Sequence, residues 1–334
     1  MNAAPVGISV LLPVYFPHTS ASAIRLLRLA LESIVEQSYG GELEILVIDD
    51  GSPRPVESHA ADLGAAAGSV RWLRLPHNRG IVGALNAGIA AARHGWLARL
   101  DADDQWLPGK LDAQIAELIA DPDVTIAATG MLVVTDKGEE IATDIRPADW
   151  SAVLRFFVDR GCPFPHGSVV ARRDIYRLLG GYPHDAGVRH CEDYALWGTW
   201  LRFFKPIIVE RALYRYQVAS SAISLVHRQQ QARASAMVRQ RFDDLNLSES
   251  LPHALPALAE ALGGSLFTAG VVAHAMWHHG AVLGLPMAAL LPLADILPDR
   301  LIDFVPEAPA WHVALNLPAC GSAELAGMIA RPYR

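Results

Sequence analysis

Cysteine is scarce in this chain of 334 residues, which has only Cys162, Cys191 and Cys320, all far apart. An odd number of cysteines without close pairs argues against a disulfide framework and against a cysteine-ligated zinc site. A reducing, cytoplasmic compartment is therefore expected. The first sixteen residues contain no lysine or arginine, so a secretory signal peptide is not predicted.

Clusters of basic residues are lacking as well. The net charge is −7, and residues of both signs are interspersed along the chain. A nucleic-acid-binding surface needs basic residues gathered on one face, so no nucleic-acid partner is predicted. About half of the residues are apolar, which is enough for a substantial core.

The segment 261–294 contains no Asp, Glu, Lys or Arg. Two prolines and three histidines interrupt it, which makes a poor membrane span and favours a buried helical hairpin. A peripheral membrane contact stays open. The histidines have no carboxylate or cysteine beside them, so core packing is preferred to metal binding. They are His274, His278 and His279.

Short apolar runs alternate with helical patterns in the first half of the chain. This alternation predicts an α/β fold with a mostly parallel open sheet flanked by helices, of the Rossmann-like kind. From about residue 125 to 216 the runs are shorter and separated by turn signals, and the pattern after 221 is helical. The predicted strands are 8–12, 43–49, 70–75 and 96–100, and the predicted helices are 20–37, 56–66, 80–93 and 108–120.

Acidic residues follow two of the predicted strands. Asp101, Asp103 and Asp104 come directly after one strand, and Asp49 and Asp50 follow another. Three acids within four residues repel one another, and a hard divalent cation such as Mn²⁺ or Mg²⁺ relieves that repulsion. Strand ends of this kind meet at one edge of a parallel sheet, so one cleft is expected to collect them. The alternative for Asp104 is a cap of the helix that starts near Pro108.

The order of four motifs is more specific than any one of them. A first strand ending in Pro13-Val14-Tyr15 is followed by Asp49-Asp50-Gly51-Ser52, by Asp101-x-Asp103, and by Glu192-Asp193 after Gly180-Gly181-Tyr182. This order resembles the family 2 inverting nucleotide-sugar glycosyltransferases of the type A glycosyltransferase fold. The resemblance covers about residues 6–217. It implies a catalytic domain over 1–220, with a nucleotide-sugar half (1–120) and an acceptor half (121–220), and a helical C-terminal region over 221–334.

For the nucleotide half, the resemblance implies that Asp50, with Asp49 beside it, accepts a hydrogen bond from the nucleotide base, near Pro13 and Tyr15. The family usually has Asn after this tyrosine, whereas this chain has Phe16, so a different local turn is expected. An ordinary Asp-Gly turn is the alternative for the acidic pair.

Arg79, at the start of a predicted helix, is expected to hold the base or the phosphates, and an exposed arginine without a ligand is the alternative. The resemblance also implies that Asp101 lies near the ribose and the metal ion, and that Asp103 is the direct metal ligand.

For the acceptor half, the resemblance implies that Asp193 is the general base that takes the proton of the acceptor hydroxyl. Glu192 is expected to contact the acceptor, and His166 to line its pocket. The alternatives are two acids placed at a helix start for the helix dipole, and a structural histidine.

The sequence thus predicts a metal-dependent, inverting, non-processive glycosyltransferase that moves a sugar from a nucleotide donor, preferably a UDP-sugar, to a hydroxyl of a glycan, a lipid-linked glycan or a small molecule. A homodimer is allowed. Processive synthases carry Gln-x-x-Arg-Trp, but Gln230-Gln231-Ala232-Arg233 is followed by Ala234. Two more classes of protein compete with this prediction. One is a sugar-1-phosphate nucleotidyltransferase, which needs a glycine-rich loop where this chain has Pro13 to Pro17, and the second is a non-catalytic sugar-nucleotide-binding module.

Overall fold

One twisted sheet organises the part of the chain that the structure, a computed structural model, describes: residues 6–218, 228–243, 250–262 and 265–279. Its strands are β1 (Ile8–Val14), β2 (Leu43–Asp49), β3 (Val70–Arg74), β4 (Trp96–Arg99), β5 (Gln105–Trp106), β6 (Val124–Thr135), β7 (Glu140–Asp144), β8 (Val170–Arg172) and β9 (Lys205–Val218). The helices are α1 (Ala21–Val35), α2 (Gly80–Ala91), α3 (Lys110–Ala120), α4 (Trp150–Asp159), α5 (Arg173–Leu178), α6 (Glu192–Phe203), α7 (Arg228–Asp243), α8 (Ser250–Leu262) and α9 (Leu266–His279).

The strand order is β3-β2-β1-β4-β8-β6-β9-β5, and β7 pairs with the far part of β6. Strands β1 to β4 are mutually parallel. Strand β8 is antiparallel to both β4 and β6, so β6 and its parallel partner β9 run in the same direction as β1 to β4. The predicted mostly parallel open sheet flanked by helices is confirmed.

The predicted strands of the first half agree with β1 to β4, and three of its four predicted helices agree with α1, α2 and α3. The helix predicted over 56–66 is wrong. Two short 3₁₀ turns stand there, Val56–His59 and Ala65–Ser69. Gly64, between them, has a φ of 75°, which a right-handed helix cannot accommodate.

Apolar residues cover both faces of the central strands. In β1, Val10 and Leu12 pack toward α1 and α3, whereas Leu11 packs toward α2 on the opposite face. Burial of both faces is expected for parallel strands between two helical layers. Helix α2 lies close to the sheet at Gly88, where an added Cβ would be 3.0 Å from Ile48 Cδ1 and 3.2 Å from Leu11 Cδ2.

The described C-terminal helices share the core of the preceding part. Phe242, Leu255 and Phe267 belong to the same buried cluster as the aromatic residues of α6, and the guanidinium of Arg172 lies 3.7 Å from the centre of the Phe267 ring. The domain boundary at residue 220 stays a prediction.

The charge-free segment 261–294 is described only in part. His274 is buried and packs edge-on against Phe203, with 5.2 Å between ring centres, in agreement with core packing. The side chains of His278 and His279, and residues 280–294, lie outside the described residues. No helix in the described ranges is long and apolar enough to cross a membrane.

We expect Gly88→Val to lower the free energy of unfolding by about 1–3 kcal/mol, because the added methyl groups overpack the contact between α2 and the sheet. Urea denaturation followed by circular dichroism measures this change. Gly40→Val is the matched control, since Gly40 is exposed and has open space around its Cα. An equal effect of both substitutions would show that the α2–sheet contact is not tightly packed.

Candidate active site

The carboxyl ends of β1, β2 and β4 bring the predicted nucleotide-side residues to one edge of the sheet. Val14 pairs with Asp49 in the parallel register of β1 and β2, and the amide of Leu100, just after β4, donates to the carbonyl oxygen of Leu11 (3.1 Å). The chain segments that contain Tyr15, Asp50 and Asp101 therefore leave the sheet side by side.

The two acids after β2 have different environments. Both carboxylate oxygens of Asp49 are engaged within the protein: Oδ1 accepts from the amide of Ser52 (2.8 Å), and Oδ2 accepts from Arg74 Nη1 (2.6 Å) and the amide of Val56 (3.1 Å). Asp49 thus fixes the turn after β2. Asp50 accepts from the amide of Arg79 (2.8 Å), and burial raises its pKa.

The turn after β1 explains the unusual residue there. Phe16 is buried in the core, and its amide donates to Ser52 Oγ (3.0 Å), so this turn is tied to the turn after β2. Pro13 is buried within β1, whereas Tyr15 is exposed. Arg79 is the N-cap residue of α2, makes no capping hydrogen bond with its side chain, and is exposed at this edge of the sheet.

Arg99 is the principal partner of Asp101. Both guanidinium ends of Arg99 donate to the two carboxylate oxygens of Asp101, and the Arg99 side chain is buried. Burial is the largest single effect and opposes the charge on Arg99, but the carboxylate of Asp101 together with Tyr214 and Tyr182 outweighs it, and the pKa of Arg99 is raised. Asp103 has exposed surface, but the protein around it displaces part of its solvating water. This loss of solvation, and then the charge of Asp101, raise the pKa of Asp103 to about 6.

Asp104 is not a helix cap, because α3 begins after Gly109, which has a φ of 77°. Asp104 is buried, with 2% of its surface exposed. It accepts from the hydroxyl of Tyr214 and from the amide of Gln217 (2.7 Å). Asp104 therefore ties the loop after β4 to the end of β9, a role that short-range sequence patterns did not predict.

Asp193 lies in the first turn of α6 beside two side chains from the segment before β8. Its Oδ2 is 3.9 Å from His166 Nδ1 and 3.8 Å from the Sγ of Cys162. Its Oδ1 accepts from the amide of Tyr194 (2.8 Å). Burial and then the charge of Glu192 raise the pKa of Asp193 to about 6. A carboxyl group tuned in this direction is suited to accept a proton near neutral pH.

His166 is part of a buried aromatic cluster. Its Nε2 lies 2.7 Å from the hydroxyl of Tyr182. Burial, and then the charge of Arg99, hold the pKa of His166 well below its ordinary value, so the ring is neutral. The backbone of Tyr182 is held in turn by Asn86 of α2, which accepts from its amide (2.8 Å) and donates to its carbonyl oxygen (2.9 Å).

The buried guanidinium of Arg99 links the two groups of acids. Besides pairing with Asp101, it acts electrostatically on Asp103 and Asp193, lowering the pKa of each against the raising effect of burial. The sequence motifs assigned no role to Arg99. A signal was available, because Arg99 is a charged residue within an otherwise apolar predicted strand and stands two residues before Asp101.

The sequence profile of glycosyl transferase family 2 matches residues 9–179, slightly more than half of the chain. EpsE of Bacillus subtilis, a protein named as a glycosyltransferase, is 30% identical over 229 residues, which are 66% of this chain and 76% of EpsE. The chain belongs to glycosyl transferase family 2. The amylovoran biosynthesis glycosyltransferase AmsE of Erwinia amylovora is 30% identical over 185 residues, 53% of this chain and 64% of AmsE.

Two solved structures share the fold. The mannosyltransferase PcManGT of Pyrobaculum calidifontis, in complex with GDP-Man and Mn²⁺, matches with a TM-score of 0.51 and 18% identity over 83% of this chain and 82% of that one. TarS residues 1–349 of S. aureus, in complex with UDP, match with a TM-score of 0.51 and 14% identity over 79% of this chain and 80% of that one. This family 2 glycosyltransferase therefore has the predicted type A fold.

We expect Arg99→Met to destabilise the protein more at pH 8 than at pH 5. Without the guanidinium, the folded-state pKa values of Asp103 and Asp193 rise further above their unfolded values. At pH 5 the carboxyls of Asp103 and Asp193 are already mostly protonated in the folded protein, so a further rise of their pKa values adds little cost. At pH 8 a raised folded-state pKa favours the unfolded state, which releases these protons more readily, so the substitution costs more there. Breaking this buried ion pair should cost about 3–5 kcal/mol near pH 8.

Urea denaturation at the two pH values, with a metal chelator present, measures the effect. Arg25→Met is the matched control, because Arg25 is exposed on α1. A loss of stability in Arg99→Met that does not change with pH would contradict a shared electrostatic role of Arg99.

Proposed function

We propose that this family 2 glycosyltransferase is metal-dependent, inverting and non-processive, and that it moves a sugar from a nucleotide donor to an acceptor hydroxyl. The observation that carries the proposal is the half-buried carboxyl of Asp193, which lies beside His166 and has its pKa raised to about 6, and which shares the electrostatic influence of Arg99 with Asp103. A proton acceptor beside a cation-attracting acidic group is what single-step glycosyl transfer from a diphosphate requires.

Nucleotide recognition is assigned to the edge formed by the turns after β1 and β2. Asp50 is the preferred acceptor for the base, because the carboxylate of Asp49 is occupied by Ser52, Val56 and Arg74. The exposed Tyr15 is assigned to the face of the base, next to Pro13, and Arg79 to the phosphates. We favour a UDP-sugar as donor, supported by the fold shared with TarS in complex with UDP, while PcManGT in complex with GDP-Man makes a GDP-sugar the competing donor.

A divalent cation fits the residues present. The carboxylate of Asp101 is paired with Arg99, and that of Asp104 accepts a hydrogen bond from Tyr214. The exposed Asp103 is therefore the residue that would hold the ion, with Asp101 close to it. Among the described residues no three His, Cys, Asp or Glu side chains converge on one metal position, so phosphate oxygens of the donor would have to complete the ligand set. The cation would neutralise the charge on the departing diphosphate, and the Mn²⁺ in PcManGT supports this assignment.

The proposed reaction is one displacement. Asp193 Oδ2 takes the proton of the acceptor hydroxyl, the acceptor oxygen forms the bond to the anomeric carbon, and the bond from that carbon to the diphosphate breaks, with its electron pair leaving on the diphosphate. Attack from the face opposite the leaving group inverts the configuration. Neutral His166 is assigned to the acceptor pocket, and Glu192 to a contact with the acceptor.

The acceptor is assigned to the class of glycans built in polysaccharide biosynthesis. AmsE is named for amylovoran biosynthesis, and the related WbnJ of Escherichia coli for O-antigen biosynthesis. A lipid-linked glycan is one form of such an acceptor. The domain division at residue 220, the homodimer and the peripheral membrane contact stay predictions.

We expect Asp103→Ala to abolish metal-dependent donor binding without unfolding the protein, because the replacement removes the carboxylate that would hold the ion. Thermal shift with UDP-glucose, UDP-galactose, UDP-N-acetylglucosamine and GDP-mannose, each with and without Mn²⁺, first identifies the donor by the rise in melting temperature. Calorimetric titration then compares the variant with Asp136→Ala, which removes an exposed acid in the turn after β6. Unchanged Mn²⁺-dependent affinity in Asp103→Ala would refute the metal assignment.

We expect Asp193→Asn to lower turnover by about two to four orders of magnitude and to leave donor affinity near the wild-type value, because the amide cannot take the proton. Release of nucleoside diphosphate from the donor found above measures turnover. In the wild type, the rate should rise with pH and level off above a pH of about 6, where the Asp193 carboxyl is deprotonated. Normal turnover in Asp193→Asn, with loss in Glu192→Gln, would move the base to Glu192.

A further inference from the structure

A single residue other than glycine has a positive φ in the described part of the chain. It is His190, with a φ of 67°. This left-handed conformation is unfavourable for a residue with a Cβ and persists only when neighbouring contacts hold it. His190 directly precedes Cys191, which caps α6, and stands three residues before Asp193. The backbone conformation at His190 therefore sets the direction in which the first turn of α6 starts.

Helix α7 supplies the contacts at this point. Gln231 Nε2 donates to the carbonyl oxygen of His190 (3.1 Å). In the opposite direction, the thiol of Cys191 donates to the carbonyl oxygen of Gln231 (3.4 Å) and lies 3.2 Å from Ser235 Oγ. One residue of α7 thus bonds to both residues that immediately precede α6.

A second contact fixes α7 against the same loop. Arg241 Nη1 pairs with Asp185 Oδ2 at 2.6 Å, and Asp185 Oδ1 accepts from the amide of Gly187 (2.7 Å). The buried side chains of Val238 and Phe242 pack into the core that α6 also enters. Helix α7 is therefore held in place near both of its ends, and this fixes the position from which Gln231 donates to the carbonyl oxygen of His190.

We infer that Gln231 is a positioning residue for Asp193: its side-chain amide holds His190 in the left-handed conformation and so fixes the first turn of α6 and the carboxylate that turn carries. This inference rests on the proposed role of Asp193 as the base. It gives a role to the Gln-Gln-Ala-Arg stretch, which lacks the tryptophan of processive synthases: Gln231 acts on the catalytic helix through the backbone, without touching substrate.

The test compares Gln231→Ala and Gln231→Glu with Gln230→Ala. Gln230 is the neighbouring glutamine on the exposed side of α7, whereas Gln231 is half-buried. Glutamate keeps the size of the side chain but removes the amide donor. We expect both Gln231 variants to lose about 10- to 100-fold in kcat, the cost of a small misplacement of a reacting group. Donor affinity should match that of Gln230→Ala, because the nucleotide side is untouched.

Two further readouts separate positioning from a general loss of structure. Hydrogen exchange followed by mass spectrometry should show faster exchange of the amides at 191–195 in Gln231→Ala than in Gln230→Ala, with unchanged exchange in β1 and β2. His190→Gly removes the penalty on positive φ, so Gln231→Ala should cost less kcat in the His190→Gly background than in the wild type.

Turnover is measured as release of nucleoside diphosphate from the donor identified by thermal shift, with water as acceptor. The inference is overturned if Gln231→Ala and Gln231→Glu equal Gln230→Ala in kcat and exchange while Asp193→Asn is inactive. Full turnover in Asp193→Asn would instead refute the proposed function at its base. Additive effects of His190→Gly and Gln231→Ala on kcat would also overturn the inference. If Gln231→Ala does not fold, Gln231→Glu, alone and combined with His190→Gly, takes its place in the same comparison.

Discussion

Repulsion among carboxylates is the constraint on which this site depends. Asp101 and Asp103, after β4, and Asp193, at the start of α6, interact electrostatically with a single buried guanidinium, that of Arg99. Without a positive charge there, gathering these acids would oppose folding, since like charges repel and a carboxylate in contact with protein loses part of its solvation. Arg99 reduces this cost without eliminating it, because the pKa values of Asp103 and Asp193 are still raised to about 6. The excess negative charge that is left favours binding of a cation near Asp103 and of a proton on Asp193. The proposed reaction supplies both, the cation with the donor and the proton from the acceptor hydroxyl.

Adjacent acids in this chain divide structural and chemical work between them. After β2, Asp49 fixes the turn with both carboxylate oxygens, whereas Asp50 has the environment suited to a ligand. After β4, Asp104 ties the loop to β9, whereas Asp103 is exposed. Within one acidic motif, one residue can therefore be structural while its neighbour is free to bind a ligand, and each residue has to be interpreted separately. In each pair the structural acid also keeps the backbone of its neighbour in place, which is the preorganisation that the proposed roles of Asp50 and Asp103 need.

Local patterns predicted what depends on local physics. Short apolar runs indicated β1 to β4, and acids at strand ends had to gather at one edge because the strands are parallel. The helix expected at 56–66 failed at Gly64, where a positive φ interrupts the apolar spacing. Long-range contacts were out of reach: Asp104 meets Tyr214 across 110 residues of sequence, and Gln231 meets His190 across 41. Neither partner carries a signal in its own neighbourhood, because the register of β9 and the packing of α7 decide both contacts.

The paired hydrogen bonds between Asn86 and the backbone of Tyr182 restrict how the enzyme can move. Asn86 belongs to α2, the helix that begins after Arg79, and Tyr182 to the loop before α6, where its hydroxyl contacts His166. Gly181 allows this approach, because an added Cβ would lie 2.4 Å from Asn86 Oδ1. A hinge that moved the helix and the loop apart as rigid bodies would break both bonds at once. The two bonds therefore oppose a rigid-body opening of these two segments, so loops outside this contact can move at lower cost during substrate entry and product departure.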